Sequence, residues 1–201
     1  MGQRTVSVSK AVTGTAHKAT SDGFSPLKLS VFSTEIGWCG LLGQAETVER
    51  LFMGHHSAAD VRQAVSRLSR EEYVGATEKI EEENWFPELH ERLLNYFQGA
   101  VIDFRDIQVN LPRLTIFQTR VIRELRKTGY GKQITYGELA AKAGAPRAAR
   151  AVGTVMSSNR IPIIIPCHRV IASGGKLGGF SAPQGTSLKQ HLLTLESPAS
   201  R

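Results

Sequence analysis

The sequence has little cysteine and nothing long and apolar enough to hold it in a membrane. Two cysteines in 201 residues do not make a disulfide framework, and no apolar run reaches the length of a bilayer span. Without a signal peptide or a span, the sequence predicts a soluble protein of a reducing compartment, and we expect a cytoplasmic location. Its hydrophobic content of 41% is enough to bury a core in one or two domains.

The sequence also lacks the spacings of common metal and nucleotide sites. Neither the pair Cys39 and Cys167 nor the adjacent His55 and His56 matches a zinc pattern. The glycines within residues 174–179 follow neither the dinucleotide-binding order nor the phosphate-loop order. We therefore expect no metal, no organic cofactor and no membrane partner.

Acidic residues are scarce in the second half of the chain. Residues 111–201 contain 14 Lys and Arg against three Glu, a net charge of +11, whereas residues 1–110 carry 11 basic and 15 acidic groups, a net charge of −4. The overall charge of +7 therefore belongs to the C-terminal half. This favours a polyanionic partner, because phosphate neutralisation supplies most non-specific affinity for DNA. A basic solvated surface is the alternative.

The first half begins with two segments of different character. Residues 1–25 are rich in Ser, Thr, Lys and Gly and predict a mobile tail. Residues 27–42 have alternating and then apolar faces, interrupted at residues 34–37. This pattern predicts a β-hairpin that begins the first domain.

Two helices are predicted after this hairpin. Ser57 has the side chain to cap a helix that runs to about Leu68, and residues 84–97 place apolar residues at helical spacing. An extended stretch over residues 100–109 leads to a change in sequence character, so we place a domain boundary near residue 111. The first domain is predicted to be α/β.

The second half predicts three helices. Residues 115–127 put apolar side chains on one helical face. Thr135 is placed to cap a helix over residues 136–142, and Pro146 is placed to open another that runs from residue 147 to about 158. Two short helices around a glycine turn have the outline of a helix-turn-helix, although ordinary cores contain such pairs too.

The second helix of this pair begins with the sequence RAARAVG. Ala148 and Ala149 separate Arg147 from Arg150, and their small side chains would let the helix approach a nucleic acid closely. Arg150 has the length to enter a groove or the base stack, as intercalating side chains do. A solvated surface arginine is the alternative.

Cys167 lies in the run IPIIIPCHR, directly beside His168. The isoleucines between Pro162 and Pro166 predict a buried extended segment that places the thiol at the edge of a core. A free thiol has a pKa of ~8.5 and is mostly neutral at pH 7, so a reactive role requires a base, for which His168 is the candidate. The alternative is that Cys167 is a small buried hydrophobe.

Several motifs occur in a fixed order in the second half: ITYGELA at 134–140, PRAARAVG at 146–153, Asn159, IPIIIPCHRVI at 161–171 and GGF at 178–180. Together they resemble the O6-alkylguanine-DNA alkyltransferases, also called methylated-DNA-protein-cysteine methyltransferases. The resemblance covers residues 111–196, with PCHRV the most specific part. It implies a small ribonuclease H-like α/β domain over 26–110, followed by a mainly helical winged helix-turn-helix domain over 111–201.

The resemblance implies that Cys167 accepts the alkyl group of O6-alkylguanine, and of O4-alkylthymine, irreversibly and once per molecule. His168 would act through a water as the base for the thiol, and Glu196 would hold and polarise that histidine. Asn159 would brace the turns that present the cysteine, and Tyr136 would donate a proton to the leaving guanine. Glu196 as a surface acid, Asn159 as a helix C-cap and Tyr136 as a packed helix residue are the alternatives.

The partner implied is double-stranded DNA that contains O6-alkylguanine, bound by a monomer. Because a stacked base cannot meet a buried thiol, the nucleotide must be flipped out. Arg150 would fill the vacated stack, and the other DNA-binding residues would be Arg147, Ala148, Ala149 and Tyr136.

The resemblance also implies a guanine pocket. Carbonyl groups of Cys167 and Val170 would accept from the guanine amino group, and the N–H of Ser181 would face O6. Met156 and Phe180 would form the walls, with a mobile glycine-rich loop at the rim.

This sequence departs from the family pattern at the pocket. Phe180 stands where tyrosine is frequent, and Ala182 and Pro183 follow Ser181 where many relatives have glycine. These departures bear on which O6-alkyl groups fit. Members that only sense lesions lack the cysteine, so the retention of Cys167 favours the enzyme over a non-catalytic sensor. A winged-helix regulator with a redox-sensing cysteine has only the helix pair in its favour.

Overall fold

A computed structural model of the chain describes residues 26–72, 80–111 and 113–197. The predicted mobile tail over residues 1–25 lies outside these residues, as does Pro112 beside the predicted boundary near residue 111. In the described part of the chain, no helix is long and apolar enough to cross a membrane.

A five-stranded sheet forms the N-terminal half. The strands are β1 (Lys28–Thr34), β2 (Gly37–Gln44), β3 (Thr47–His55), β4 (Glu81–Glu82) and β5 (Gln108–Val109). The three long strands are antiparallel neighbours, and the two short strands pair in parallel at the edges, in the order β4-β1-β2-β3-β5. The predicted hairpin is confirmed as β1 and β2, whereas β3 was not predicted. Only Gln108–Val109 of the predicted extended stretch over 100–109 forms a strand.

Two helices pack with this sheet. Helix α1 (Ala58–Glu72) begins as predicted, because Ser57 Oγ accepts from the N–H of Asp60 while the Asp60 carboxylate accepts from the N–H of Ser57. Helix α2 (Pro87–Phe97) begins three residues later than predicted, with Pro87 in the first turn, where its missing N–H costs nothing.

Local hydrogen bonds mark where three helices of the C-terminal half begin. Helix α3 (Ile116–Arg126) starts at a capping box made by Thr115 and Gln118. Helix α4 (Tyr136–Lys142) starts at a second capping box, made by Thr135 and Glu138, as predicted. Helix α5 (Ala149–Ser157) begins two residues later than predicted. The N–H of Ala148 closes a turn onto the carbonyl of Ala145, so Pro146 and Arg147 lie in that turn.

A short parallel pair of strands, β6 (Ile134–Thr135) and β7 (Val170–Ile171), joins the start of the helix pair to the segment after Cys167. Helix α6 (Gly185–Leu195) then closes the chain's described part against this segment. The residues before Cys167 correct our prediction. Ile163–Ile165 is buried but forms turns, with Ile163 at a φ of 70°, and is not extended. The N–H groups of Ile164 and Ile165 bond back to the carbonyls of residues 162 and 161, so the chain turns between the two prolines.

One hydrophobic core runs through both halves and encloses the cysteine segment. It includes Leu51 of β3 and Leu93 of α2 together with Ile161 and Cys167. Backbone bonds reinforce this packing, since the N–H of Leu51 donates to the carbonyl of Arg160 at 3.0 Å. The thiol therefore sits where the sheet of the N-terminal half meets the helices of the C-terminal half.

Candidate active site

Cys167 opens a 3-10 turn over Cys167–Arg169 and is 6% exposed. Its Sγ accepts a hydrogen bond from Nδ2 of Asn159 at 3.0 Å. The same amide donates to the carbonyl of Ile165 at 2.8 Å, and its Oδ1 accepts from the N–H of Ile161 at 3.1 Å. The Asn159 side chain thus forms hydrogen bonds to the turns before Cys167. Asn159 is not the C-cap of α5, because that position is occupied by Ser158.

The environment of the thiol has opposing effects on its acidity. Burial raises the pKa of Cys167, while the Asn159 hydrogen bond and the positive charge of Lys189 act against that rise. The balance leaves the pKa raised, so the thiol is neutral at pH 7. A nucleophilic sulfur therefore requires that a base remove the proton at the time of reaction.

His168 follows the cysteine and is completely buried. Its Nε2 lies 2.9 Å from Oε1 of Glu196. Burial lowers the pKa of His168 despite the opposing effect of Glu196, so the imidazole is neutral at pH 7. Because a carboxylate only accepts hydrogen bonds, the proton is assigned to Nε2. This assignment leaves Nδ1 unprotonated, and Nδ1 is buried without a hydrogen-bond partner among the described residues.

Glu196, the cap residue at the end of α6, is the acceptor at the centre of the buried network. Arg169 donates to it through Nε at 2.9 Å and through Nη2 at 2.7 Å, and the N–H of Gly131 donates to Oε2 at 3.1 Å. Burial alone would raise the pKa of Glu196, but the hydrogen bonds from His168 and Arg169 hold it well below its usual value. Glu196 is therefore an ionised carboxylate that is fixed in place, not a surface acid.

Tyr136, the first residue of α4, borders the rim of the site. A Cβ at Gly178 would lie 2.7 Å from the Tyr136 hydroxyl, and Gly178 has a φ of 70°, so this approach of loop to phenol requires glycine. Burial raises the pKa of Tyr136, and the nearby Cys167 adds to the rise. The phenol therefore stays protonated and keeps a proton to donate.

Lys189 is a residue of this site that the sequence analysis missed. It is 0% exposed, and its Nζ donates to the carbonyl of Val170 at 2.6 Å and to that of Gly179 at 3.5 Å. Burial lowers its pKa, against the opposing effect of Cys167. A signal was present, because Lys189 occupies the same helical stripe as the buried residues Leu188 and Leu192.

This contact involves a group with a predicted role, the carbonyl of Val170. This carbonyl, which the resemblance assigned to the guanine amino group, already accepts from Lys189. A second lone pair remains for another donor. Val170 itself is completely buried.

A cavity of about 260 Å³ opens beside Cys167. Three predicted pocket residues, Met156, Phe180 and Ser181, line it, whereas Val170 is not among the lining residues. Ser181 Oγ donates to the carbonyl of Ser157 at 3.0 Å, which ties the rim to α5. The cavity continues to β3 of the N-terminal half, a wall that the sequence analysis did not anticipate; its residues include Arg50, Leu51, Phe52, Met53 and His55.

The predicted DNA-binding residues lie together at the start of α5. Arg147, in the turn before the helix, and Arg150, in its first turn, are exposed. Ala148 and Ala149 are half-buried between them. The arginines are therefore accessible to a macromolecular partner, with small side chains between them.

Comparison with known proteins identifies relatives of this chain. Residues 116–198 match the family model described as 6-O-methylguanine DNA methyltransferase, DNA binding domain. A methylated-DNA-protein-cysteine methyltransferase of Metallosphaera sedula is 44% identical over 121 residues, which is 60% of this chain and 74% of that protein. The protein of the same name from Mycobacterium leprae is 40% identical over 146 residues, which is 73% of this chain and 84% of its own length.

A solved structure extends the likeness to the whole fold. The crystal structure of Mycobacterium tuberculosis OGT in complex with DNA superposes with a TM-score of 0.67 at 32% identity, covering 86% of this chain and 96% of that one. The predicted fold class, an α/β half followed by a mainly helical winged helix-turn-helix half, is thereby confirmed. The chain belongs to the methylated-DNA-protein-cysteine methyltransferase family.

Proposed function

We propose that this protein repairs alkylated DNA by moving the alkyl group of O6-alkylguanine onto its own Cys167, once per molecule. The observation that carries the proposal is the position of the Cys167 thiol at the wall of a cavity, next in sequence to His168, whose Nε2 lies 2.9 Å from Oε1 of Glu196. A protein that only recognised the lesion would need the cavity but not an oriented base. The relatives named as methyltransferases and the one solved with DNA support the same conclusion.

The proposed reaction begins with activation of the thiol. The proton of Cys167 passes through a water to Nδ1 of His168, the ring nitrogen that has no partner among the described residues. Glu196 accepts from Nε2 throughout and stabilises the imidazolium that forms. Lys189 and Asn159 stabilise the thiolate, since both act against the effect of burial on its pKa.

Transfer then follows as an in-line displacement. The thiolate attacks the alkyl carbon, the S–C bond forms, the C–O6 bond breaks, and its electron pair stays on guanine. Tyr136 gives its proton to the developing guanine anion. The tyrosinate then takes up a proton from solvent while the His168 imidazolium releases one, so both side chains return to their neutral forms. In total, a thiol and an alkylguanine give a thioether and guanine. Because a thioether is stable to hydrolysis in water, we propose that the alkyl group stays on Cys167 and the molecule is consumed.

The burial of the thiol requires that the damaged base leave the duplex. At 6% exposure, Cys167 cannot reach a stacked guanine. We propose that the start of α5 enters the DNA, with the exposed Arg150 in the gap left by the flipped nucleotide. Arg147 would contact phosphate while Ala148 and Ala149 allow close approach, and the cost of flipping is about a few kcal/mol. O4-alkylthymine, with a smaller ring, is proposed as a second substrate.

The proposal is tested by incubating the protein with duplex DNA that carries one O6-methylguanine, followed by peptide mapping in a mass spectrometer. We expect one added methylene on the peptide that contains Cys167. Cys167→Ser should abolish the transfer and keep lesion binding. Cys39→Ser is the matched control and should transfer the methyl group normally. Burial raises the pKa of Cys39 to about 11, so this thiol should stay unmodified in the wild type. Tight lesion binding by the wild type without any added mass would make the protein a lesion sensor instead.

A further inference from the structure

Tyr96 connects the N-terminal half directly to the catalytic network. It lies near the end of α2 and is 0% exposed. Its ring has edge contacts with Phe97, Phe104 and Tyr130, at centroid distances of 5.4, 5.8 and 6.1 Å. These contacts hold the ring in one orientation, so the direction of its hydroxyl is fixed by packing.

The hydroxyl of Tyr96 reaches the two groups that orient the base. It donates to Oε1 of Glu196 at 2.7 Å and lies 3.3 Å from Nε2 of His168. Because its hydrogen points to the carboxylate, its oxygen can accept from the same Nε2–H that Glu196 accepts. The proton on Nε2 is therefore held between two acceptors, which keeps Nδ1 free of a proton.

Tyr96 is also a permanent donor. Burial raises its pKa well above the usual value, and the charge of Glu196 adds to this effect. The phenol consequently keeps its hydrogen throughout the working range of pH. Losing it would leave Oε1 of Glu196 with more charge to share with His168, which would favour the imidazolium over the neutral base.

The charged and titratable groups that surround His168 come from three elements. They are Cys167 and Arg169 on its own turn, Lys189 on α6 with Glu196 at the end of that helix, and Tyr96 on α2. Of these, only Tyr96 belongs to the N-terminal half.

We propose that Tyr96 is a positioning residue, through which the N-terminal half holds Glu196 and the imidazole of His168 in the orientation that activates Cys167. The inference rests on the proposed function, because the orientation of the base matters only if Cys167 reacts. It gives the N-terminal half a part in the chemistry in addition to its part in the fold.

The test compares Tyr96→Phe with Tyr130→Phe in the full-length protein. Phenylalanine keeps the packed ring in each case. Tyr130 is the matched control, because it packs beside Tyr96 and its hydroxyl lies within hydrogen-bond distance of the carbonyls of Leu195, at 3.0 Å, and Gly99, at 3.3 Å. The measurement is the single-turnover rate of methyl transfer from duplex DNA as a function of pH, together with the affinity for the lesion.

We expect Tyr96→Phe to lower the transfer rate at pH 7 by roughly 10-fold, the usual effect of losing one charge-assisted hydrogen bond. The acid limb of the pH–rate profile of this variant should move to higher pH, because the pKa of His168 rises when Glu196 loses a hydrogen-bond donor. Lesion affinity should not change. Tyr130→Phe should leave the acid limb at its wild-type position.

A double mutant separates positioning from folding. If Tyr96 acts through Glu196, adding Tyr96→Phe to Glu196→Gln should slow the reaction no further. Multiplied effects of the two substitutions would overturn the inference, as would equal behaviour of Tyr96→Phe and Tyr130→Phe. A wild-type protein that binds the lesion but never modifies Cys167 would overturn the proposed function and this inference together. Normal transfer by Tyr96→Phe would overturn this inference alone.

Discussion

Asn159 is the residue whose removal tests the architecture of the site most sharply. Replacement by alanine deletes the bonds to the Ile165 carbonyl, to Cys167 Sγ and from the Ile161 N–H. The Ile165 carbonyl keeps a second donor, the N–H of Cys167 at 2.7 Å. The N–H of Ile161 belongs to a residue that is 0% exposed and loses the acceptor that Asn159 provided.

The loss of stability in Asn159→Ala follows from these hydrogen bonds. A stranded buried N–H costs about 1–3 kcal/mol, and each further bond contributes about 1 kcal/mol. We expect Asn159→Ala to lower the free energy of unfolding by roughly 3 kcal/mol, which for a chain of this size lowers the Tm by about 6–12 °C. The pKa of Cys167 should rise as well, because the amide no longer opposes the effect of burial.

Thermal unfolding followed by circular dichroism measures the first effect. The matched control is Ser158→Ala, which removes only the bond from Ser158 Oγ to the carbonyl of Val155 at 3.1 Å and should cost about 1 kcal/mol. The pH dependence of Cys167 alkylation by iodoacetamide measures the second effect. If Asn159→Ala melts within about 2 °C of Ser158→Ala, the bracing of the turns by Asn159 is refuted.

Three further predictions concern the thiol, the rim of the site and the DNA-binding face. Lys189→Met should shift the pH dependence of iodoacetamide labelling upward, because the positive charge that opposes the rise in the thiol pKa is lost. Gly178→Ala should slow transfer at least 10-fold in single-turnover assays, because its Cβ would lie 2.7 Å from the Tyr136 hydroxyl, whereas Gly179→Ala meets nothing within 4 Å and should react normally. Arg150→Ala should slow repair of duplex DNA far more than reaction with free O6-alkylguanine, and equal slowing of both would refute its proposed role.

Where a local rule decides the structure, the sequence was sufficient to predict it. Helix α4 has its predicted bounds because Thr135 and Glu138 satisfy its first N–H groups through their own side chains. The hairpin followed from the alternation along β1, the apolar run along β2 and the interruption at residues 34–37 between them. Strand β3 escaped prediction because its pairing with β2 is interrupted by register shifts, and its apolar residues therefore do not alternate regularly.

The residues of the candidate active site also differ in whether local sequence is sufficient to predict them. Cys167 and His168 are neighbours in sequence, so a candidate thiol and its candidate base were predictable from that adjacency. The turn at Ile163 was not, since a β-branched residue at a φ of 70° is unfavourable by itself and depends on the surrounding core. Tyr96 lies 72 residues before His168, and only the packing of α2 against the C-terminal half brings its hydroxyl to the network.

The most direct test of the account is the stoichiometry of methyl transfer in the presence of excess lesion. The protein is incubated with a tenfold molar excess of duplex DNA that carries O6-methylguanine, and both the intact protein mass and the repaired DNA are followed to completion. The account predicts that repair stops at one guanine per protein molecule, with one methylene on Cys167. Continued repair beyond one equivalent, or repaired DNA with Cys167 unmodified, would contradict it.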